Sequence, residues 1–572
     1  MPFQTYTINS YAGLNEDENP AALAPDQLRE ATNCCRLGNL TGTRPGLSRD
    51  TEYDADIDDS GSETVEGIYE YRRNRDEDRK LVVVAKGTIY QNDTTAVSQS
   101  GFSQAPTAGA DNTWTFANFQ NNLWSAGGAA GDDIWTWNGT GNATARLTGI
   151  FGSGGIHPKY VFSKFQTLFL GGFQNSGTNF YDNALCARYC DYASDATDPL
   201  SWPNSNTIPG ELLGENPGGS SFGAEYNTGF GSYQDNSGDF LLFLTNRRIL
   251  AFRENPSVTS NANRFIQSDA IATGCVSQNA FVDLGLDQGD AVYMSEHGIH
   301  SMALSQQFGD RENNFLSWPI RKTWETLNRS KLEKSMGAYW PEEGLILFAV
   351  PTGSSTYLNL ILAMDIKGVT RLSPDTVRWY KWFIPSGVAS LNYLTAARDP
   401  DGVPRIYVGG QEGEVAAFSR SSYSDLGTAI ATAFRGKDED VGFPTNSKAI
   451  GDAWLMVGGA GTYTPTLSYL TDDGRSVSSF HSLDVALPGF VLDNAAGNLS
   501  GASTLDNAAG NLPGAGALGS TFNLTRERVD GYGEGFTISH RFSHTGVNEP
   551  FFVGQISQEI AGNGISVEAS AA

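Results

Sequence analysis

The chain alternates short apolar runs with tight polar turns, and most of its length is built from that one pattern. "KLVVVAKGTIYQN" (80–92) turns at Lys86-Gly87. "NLWSAGGAAGDDIWTWNGT" (122–140) turns through Gly127 to Asp133, and "YVFSKFQTLFLGGF" (160–173) repeats the form. "FLLFLTNRRILAFRE" (240–254) turns near Asn246-Arg247, and "AVYMSEHGIHSMA" (291–303) at His297-Gly298. "EEGLILFAVPTGSSTYLNLILAMDI" (342–366) is a longer version, and "RIYVGGQEGEVAAFS" (405–419) turns at Glu412-Gly413. One strand of each pair is almost wholly apolar, as in "LVVV", "LLFL" and "LILFAV". Such strands suit positions buried on both faces. Neighbouring hairpins lie mostly ~40–60 residues apart, the period of propeller blades. A propeller also leaves only short sheet edges.

Helical signal is sparse. In "SWPIRKTWETLNRSKL" (317–332), Pro319 fits a first helical turn and Ile320, Trp324 and Leu327 share a face. The opening segment carries Pro25, Leu28, Ala31 and Cys35 at helical spacing, which predicts a short helix ending near Asn33. After residue 430 the pattern again reads as strands: Ala453–Val457, Thr464–Leu470, "GFTISHRFSH" (535–544) and "FFVGQISQEI" (551–560). Between them the octapeptide "LDNAAGNL" occurs at 492–499 and again at 505–512. Small and polar, it reads as a duplication in an exposed loop.

Composition narrows the class. The 572 residues include 65 glycines and 11% aromatics, unlike a helical bundle. Lys+Arg number 38 and Asp+Glu 64, a formal net charge of −26. That excess argues against gripping phosphate, because nucleic-acid affinity comes largely from Lys and Arg. Five cysteines at irregular spacing make no disulfide framework. The start lacks a basic and then apolar leader pattern, so the expectation is synthesis in the cytoplasm with reduced thiols. No stretch approaches the ~18 consecutive apolar residues of a membrane span, so no membrane insertion is expected.

The chemical motifs are weak when read in context. Gly219-Ser220-Ser221-Phe222-Gly223 matches G-x-S-x-G, but loop-like sequence on both sides gives Ser221 no nucleophile elbow. Glu52, Asp54, Asp56, Asp58 and Asp59 resemble a calcium loop, yet both possible registers lack the required Gly or Glu. Cys186 and Cys190 find no second Cys/His pair, and the histidines are scattered. Glycine clusters open no helix and so make poor phosphate cradles. The aromatic strands read as blade core rather than as a sugar-binding surface. The expectation is a non-enzyme with no cofactor and no metal.

The opening stretch "GLN…ENPAALAPDQLREATNC…GNLTGTRPGL" resembles the start of the β-propeller nozzle or hub proteins of short-tailed bacteriophages. The resemblance rests on Gly13-Leu14-Asn15, Asn19-Pro20, Asn33 and Arg44-Pro45-Gly46. Further segments follow in order, among them 163–202, 333–382, 406–418 and 434–450. The resemblance covers most of 13–450. Cys34-Cys35 and an insertion at 484–520 depart from it.

The resulting expectation is a mainly β chain: a β-propeller of about six or seven irregular blades with an added β-sandwich-like domain. Residues 1–65 form a clamp on the C-terminal β-domain, 66–430 the propeller, and 431–572 that β-domain. The resemblance implies a virion structural protein at the distal end of a phage tail. It implies a homo-oligomeric ring of six copies, partners in a tail adaptor and in fibres or spikes, and viral DNA passing through unbound. The acidic balance suits a channel wall that repels DNA. Glu52, Asp54, Asp56, Asp58, Asp59, Asp438, Glu439 and Asp440 are its candidate channel or rim residues. The alternative is a carbohydrate-binding or depolymerase propeller at the host surface. Intact sialidase Asp-boxes and regular Trp-Asp blade endings are both absent from the sequence.

Overall fold

The computed structural model describes residues 3–19, 22–49, 64–73, 79–91, 95–100, 102, 112–127, 132–145, 156–175, 187–190, 207–208, 225–235, 238–255, 264–285, 288–308, 315–385, 390–398, 402–441, 445–459, 463–472, 476–483, 493–494, 497–498, 506–507, 510–511, 523–531 and 533–562. Two compact units emerge: Ser48–Val377 with Ile384–Phe418, and Met1–Leu47 with Arg378–Phe383 and Ser419–Ala572.

The first unit is a β-propeller. Its sheets follow one another along the chain, each built on an antiparallel meander; in the second, Gln99–Ser100 adds in parallel to Ala143–Ala145. They begin at Val65–Tyr71, Trp114–Phe119, Ile156–Lys164, Asn227–Asp235, Phe281–Asp283, Met336–Trp340 and Leu391–Arg398. These seven first strands pack each against the next, and the last packs back on the first, closing the circle. The seven hairpins read from the sequence all fall inside these sheets. Lys80–Ala85 turns into Thr88–Gln91 through Lys86 and Gly87, both at positive φ (49° and 70°), the twist that suits a two-residue hairpin. Leu345–Val350 is buried at every position, as its unbroken apolar run requires. Between neighbouring sheets lie aromatic clusters such as Tyr71, Trp114, Phe116, Trp135 and Trp137. Trp114, Trp135 and Trp137 are fully buried, so these indoles are core.

The 317–332 segment is not one helix. A 3-10 turn (Trp318–Ile320), a short α-helix (Arg321–Glu325) and a second 3-10 turn (Arg329–Lys334) succeed one another. The break falls at Asn328, whose side chain accepts from Ser330 N at 3.2 Å and starts a new turn. Ile320, Trp324 and Leu327 are nonetheless all buried, as the shared face predicts.

The second unit is a sandwich of two sheets. One runs in the order Cys34–Leu37, Leu40–Thr43, Phe551–Gly562, Lys448–Gly459, Asn523–Val529, and Gln4–Ile8 adds onto Phe551–Gly562. The other runs Arg378–Trp382, Gln27–Thr32, Thr428–Gly436, Ile538–Gly546, Thr466–Thr471, Ser476–Ser482. Phe434 and Phe542 of the second sheet meet Phe551 of the first. The Phe434–Phe542 and Phe434–Phe551 ring centroids are 5.1 and 5.8 Å apart. N-terminal strands therefore pair with strands from the far end of the chain in both sheets.

The expected N-terminal helix is instead the strand Gln27–Thr32. Its register against Thr428–Gly436 slips between Leu28 and Glu30. That bulge places Leu28 and Ala31, three apart, on the buried side. The same three-residue spacing marks a helix face, so the bulge reproduces a helical signature in a strand. Within 484–520, the described residues are two small ladders, one per octapeptide copy. Asp493 pairs with Asn498 and Asn494 with Gly497; Asp506 pairs with Asn511 and Asn507 with Gly510.

Candidate functional site

The motif residues of the opening segment converge within the sandwich unit. Arg44 is fully buried and its guanidinium spends every edge on a partner. Nη1 donates to Asp425 Oδ1 at 2.9 Å and to the Pro45 carbonyl at 2.9 Å. Nη2 donates to Asp425 Oδ2 at 2.5 Å and to the Phe383 carbonyl at 3.0 Å. Nε donates to Asn33 Oδ1 at 3.2 Å. The Trp382 ring lies 5.9 Å from the guanidinium carbon, and its Nε1 donates to the Cys34 carbonyl at 2.8 Å. A buried charge is tolerated when it is paired and hydrogen-bonded in this way.

Asn33 stands at φ 50°, in the left-handed region. Asn reaches that region at lower cost than most residues, and here its amide is also used. Nδ2 donates to the Ala431 carbonyl at 2.9 Å, and Oδ1 accepts from Phe383 N at 2.7 Å. Gly13 has φ 107°, and a Cβ there would stand 2.8 Å from Arg378 Cβ. A Cβ on Gly46 would stand 2.3 Å from the Ser424 carbonyl oxygen. Asn15 closes an Asx turn by accepting from Asp17 N at 3.1 Å, while its Nδ2 donates to Gln27 Oε1 at 3.2 Å. Pro45 leads into Gly46, whose N–H donates to Ser422 O at 2.8 Å. The motif thus meets a steric or hydrogen-bonding demand at each position: Asn33, Arg44, Pro45 and Gly46 form a latch around Asp425, and Gly13 and Asn15 serve the strands beside Arg378 and Gln27. Pro20 of the same motif lies outside the described residues. Asp425, the latch's central acid, carries no distinguishing signal in the surrounding "SYSDLG".

The acidic candidates divide into two groups. Glu52, Asp54, Asp56, Asp58 and Asp59 lie outside the described residues. Asp438 and Glu439 are not open wall charges within the chain. Asp438 is 1% exposed and paired with both Arg29 and Arg435. Glu439 is 5% exposed, accepts from the Tyr6 hydroxyl and lies 3.7 Å from Lys437 Nζ. Burial pushes the Glu439 carboxyl above the ordinary carboxylate range. Only Asp440 of the three is partly exposed. The physical reason is that a charge count does not reveal partners, and Arg29 is 409 positions from Asp438. Arg541 forks onto Glu30 at 2.9 and 3.0 Å, and Lys381 meets Glu16 at 2.7 Å, two further ion pairs of the same unit.

His540 is buried, with Nε2 3.2 Å from Gln558 Oε1. Burial lowers its pKa to about 4, so it is held neutral. Cys34 and Cys35 are buried thiols, and burial pushes Cys34 up. Cys35 Sγ donates to the Thr43 carbonyl at 3.6 Å, which gives it a packing role. Ser221 and Cys186 lie outside the described residues. Among the described residues, no group of three or more His, Cys, Asp or Glu side chains is placed to hold a metal ion. Among them, too, no helix is long and apolar enough to cross a membrane.

No protein-family model matches the chain, and no curated protein matches it in sequence. Solved structures are similar at low identity. One is YCF48 bound to D1 peptide, at 10% identity and TM-score 0.33, covering 66% of this chain and 97% of that one. The WD40 β-propeller domain of Doa1 is 12% identical at TM-score 0.33, covering 63% and 97%. SapL1 lectin in complex with alpha methyl fucoside is 10% identical at TM-score 0.26, covering 64% and 92%. At these values the likeness assigns no function, and the propeller rests on the chain's own strand topology.

Proposed function

We propose that the chain is a structural protein of a short-tailed bacteriophage virion, the nozzle or hub at the distal end of the tail. In this reading six copies form a ring, which docks below the tail adaptor and anchors fibres or spikes. The protein is made in the host cytoplasm and ends in the particle. It has no catalytic role and needs no cofactor.

One observation carries the reading. Gly13, Asn15, Asn33, Arg44, Pro45 and Gly46, the described residues on which the sequence resemblance rests, are each used in the sandwich unit for a specific local demand. Asn33, Arg44, Pro45 and Gly46 gather around one buried ion pair, and Gly13 and Asn15 serve the neighbouring strands, which a chance match of short motifs gives no reason to expect. The net charge of −26 is compatible with a conduit for DNA. Duplex DNA carries one negative charge per ~1.7 Å of axis, so a protein with excess acid does not retain it. With Asp438 and Glu439 neutralised inside the fold, any channel wall must draw its charge from other acids.

The test is co-expression with portal and adaptor proteins of short-tailed phage type taken from the genome that carries this chain, followed by mass measurement of the purified complex; a genome without such genes would itself contradict the reading. The reading expects a stable assembly with six copies. Failure to associate, together with absence of the chain from purified particles by mass spectrometry, would refute it.

A further inference from the structure

The first sheet of the sandwich ends in two strands that complement each other. Phe551–Gly562 is flanked on one side by Lys448–Gly459 and on the other by Gln4–Ile8. Lys448–Gly459 carries Asn523–Val529 on its far side. Among the described residues, neither Gln4–Ile8 nor Asn523–Val529 has a strand on its outer side, so each presents a row of backbone N–H and C=O groups. Natural edges are guarded by charge, proline or a bulge. Gln4–Ile8 has none of these: it reads QTYTI, and its register against Ile556–Ile560 runs without a shift. Gln4, Thr5 and Thr7 are exposed, and Phe3 just before them is 54% exposed. On the inner side Tyr6 donates to Glu439, which keeps the strand seated on its own sheet.

Charge, direction and facing point to the same occupant. Between two chains of net charge −26, repulsion is least where one edge is uncharged and the other is not acidic. Asn523–Val529 carries two arginines against one glutamate. Arg526 and Arg528 are exposed on one face, and Leu524 beside them is 47% exposed. Arg528 Nε donates to Asp452 at 3.0 Å, whereas Arg526 has no acidic partner among the described residues. Three antiparallel steps separate the two edge strands, so they run in opposite directions. A neighbouring copy's Gln4–Ile8, laid beside Asn523–Val529 in continuation of the sheet, is therefore antiparallel to it, the more stable pairing. The registers place Thr5 and Thr7 on the face that carries Glu559, Trp454, Arg526 and Arg528. Five residues beside seven allow three full registers, and only two keep that face continuous: Thr5 opposite Arg526, or Thr7 opposite Arg526. In the first, Arg526 stands two strand spacings, about 10 Å, from the neighbouring copy's Glu559; in the second, Arg528 does.

We propose that Gln4–Ile8 of one copy pairs antiparallel with Asn523–Val529 of the next, so that this sheet runs on from chain to chain. The contact joins two different edges and is therefore head-to-tail, the kind that closes into a ring when its rotation allows. The inference rests on the assembly reading above and names the surface between its copies.

The test uses the full chain co-expressed with the adaptor, in two double variants: Thr5→Cys with Arg526→Cys, and Thr7→Cys with Arg526→Cys. Residues opposite each other in paired strands fall within the ~4.4–6.8 Å Cα separation of a disulfide. After mild oxidation and denaturing electrophoresis without reductant, one of the two is expected to give a ladder of covalent multimers that reaches the full ring. The single variants should give none. Arg526→Glu, which sets an acid toward the neighbouring copy's Glu559, should lower the yield of rings by about tenfold or more with an unchanged thermal melt. Rings that assemble without a ladder in either double variant would overturn this inference and leave the assembly reading standing. No rings from the wild-type chain would overturn both. Dimers from Thr5→Cys or Thr7→Cys alone would also overturn it, by pairing Gln4–Ile8 with itself, and so would a full yield of rings from Arg526→Glu.

Discussion

Arg44 and Asp425 stand 381 positions apart in sequence and meet as a two-point ion pair with both side chains fully buried. Removing one partner strands a buried charge, which costs about 3–5 kcal/mol. Arg44→Met and Asp425→Leu should each lower the stability of the sandwich unit by that order, read by urea denaturation. The double variant should be less destabilised than the sum, because it leaves no unpaired charge. Arg44→Lys should also destabilise, since an ammonium cannot reproduce the fork. Additive single-site effects would show that the pair does not act as a unit.

Asn33 separates backbone strain from hydrogen bonding. At φ 50° an L-residue without a compensating side chain costs roughly 1–2 kcal/mol. Asn33→Leu should lose that amount plus the bonds to Ala431 O, Phe383 N and Arg44 Nε. Asn33→Gly keeps the conformation and loses only the bonds, so it should be clearly the milder variant. Equal losses in thermal melts would place all of the effect in the side chain.

Gly46 tests close approach. A Cβ there would overlap the Ser424 carbonyl, which is backbone and cannot move aside cheaply. Gly46→Ala should destabilise by about 1–3 kcal/mol, whereas Gly38→Ala, with open space around its Cβ, should cost only the strain of φ 62°. Proteolysis of the two variants under native conditions would rank them.

His540 sets a pH dependence whose sign is fixed by its burial. Its folded pKa, about 4, lies below the unfolded value of about 6.5, so the unfolded chain binds the extra proton between those limits. Its contribution is fully present above pH ~6.5 and is lost as pH falls toward 4, by at most about 3 kcal/mol. His540→Gln should remove that slope, seen as the difference between wild-type and variant stability across the same window. Glu439 acts in the opposite sense, because burial raises its pKa and favours the folded state as pH falls. A wild-type-minus-variant difference that stays flat would mean that the folded pKa of His540 equals the unfolded one, contradicting the effect of its burial.

The seven propeller hairpins were legible because a strand buried on both faces writes an unbroken apolar run, and Leu345–Val350 does so over six positions. The opening strand was not legible: a bulge beside Arg29 turned its two-residue period into the three-residue spacing of Leu28 and Ala31. The latch was half legible. Arg44, Pro45 and Gly46 stood out as a motif, but Asp425 is an ordinary turn acid until the fold brings it 2.5 Å from Arg44. The same holds for Asp438, whose partners Arg29 and Arg435 convert an apparent surface charge into a buried one. Trp324 was assigned to a buried face and is buried, although the helical segment that carries it breaks at Asn328.

The net charge of −26 leads to a result in solution. The purified chain should leave duplex DNA unshifted in a native gel even at about 10 mM salt, where the Debye length reaches ~30 Å and any basic patch is least screened. A complex that forms at low salt and dissolves as salt rises would contradict a conduit that DNA leaves freely.

The most direct measurement follows from the proposed virion role: a cryo-electron-microscopy reconstruction of the phage particle in which that proposal places this chain. The account predicts propeller density repeated six times around the distal end of the tail, each copy traceable with Arg44 against Asp425. Particles with a complete tail that lack the chain, or that carry it as a single copy away from the DNA channel, would contradict it.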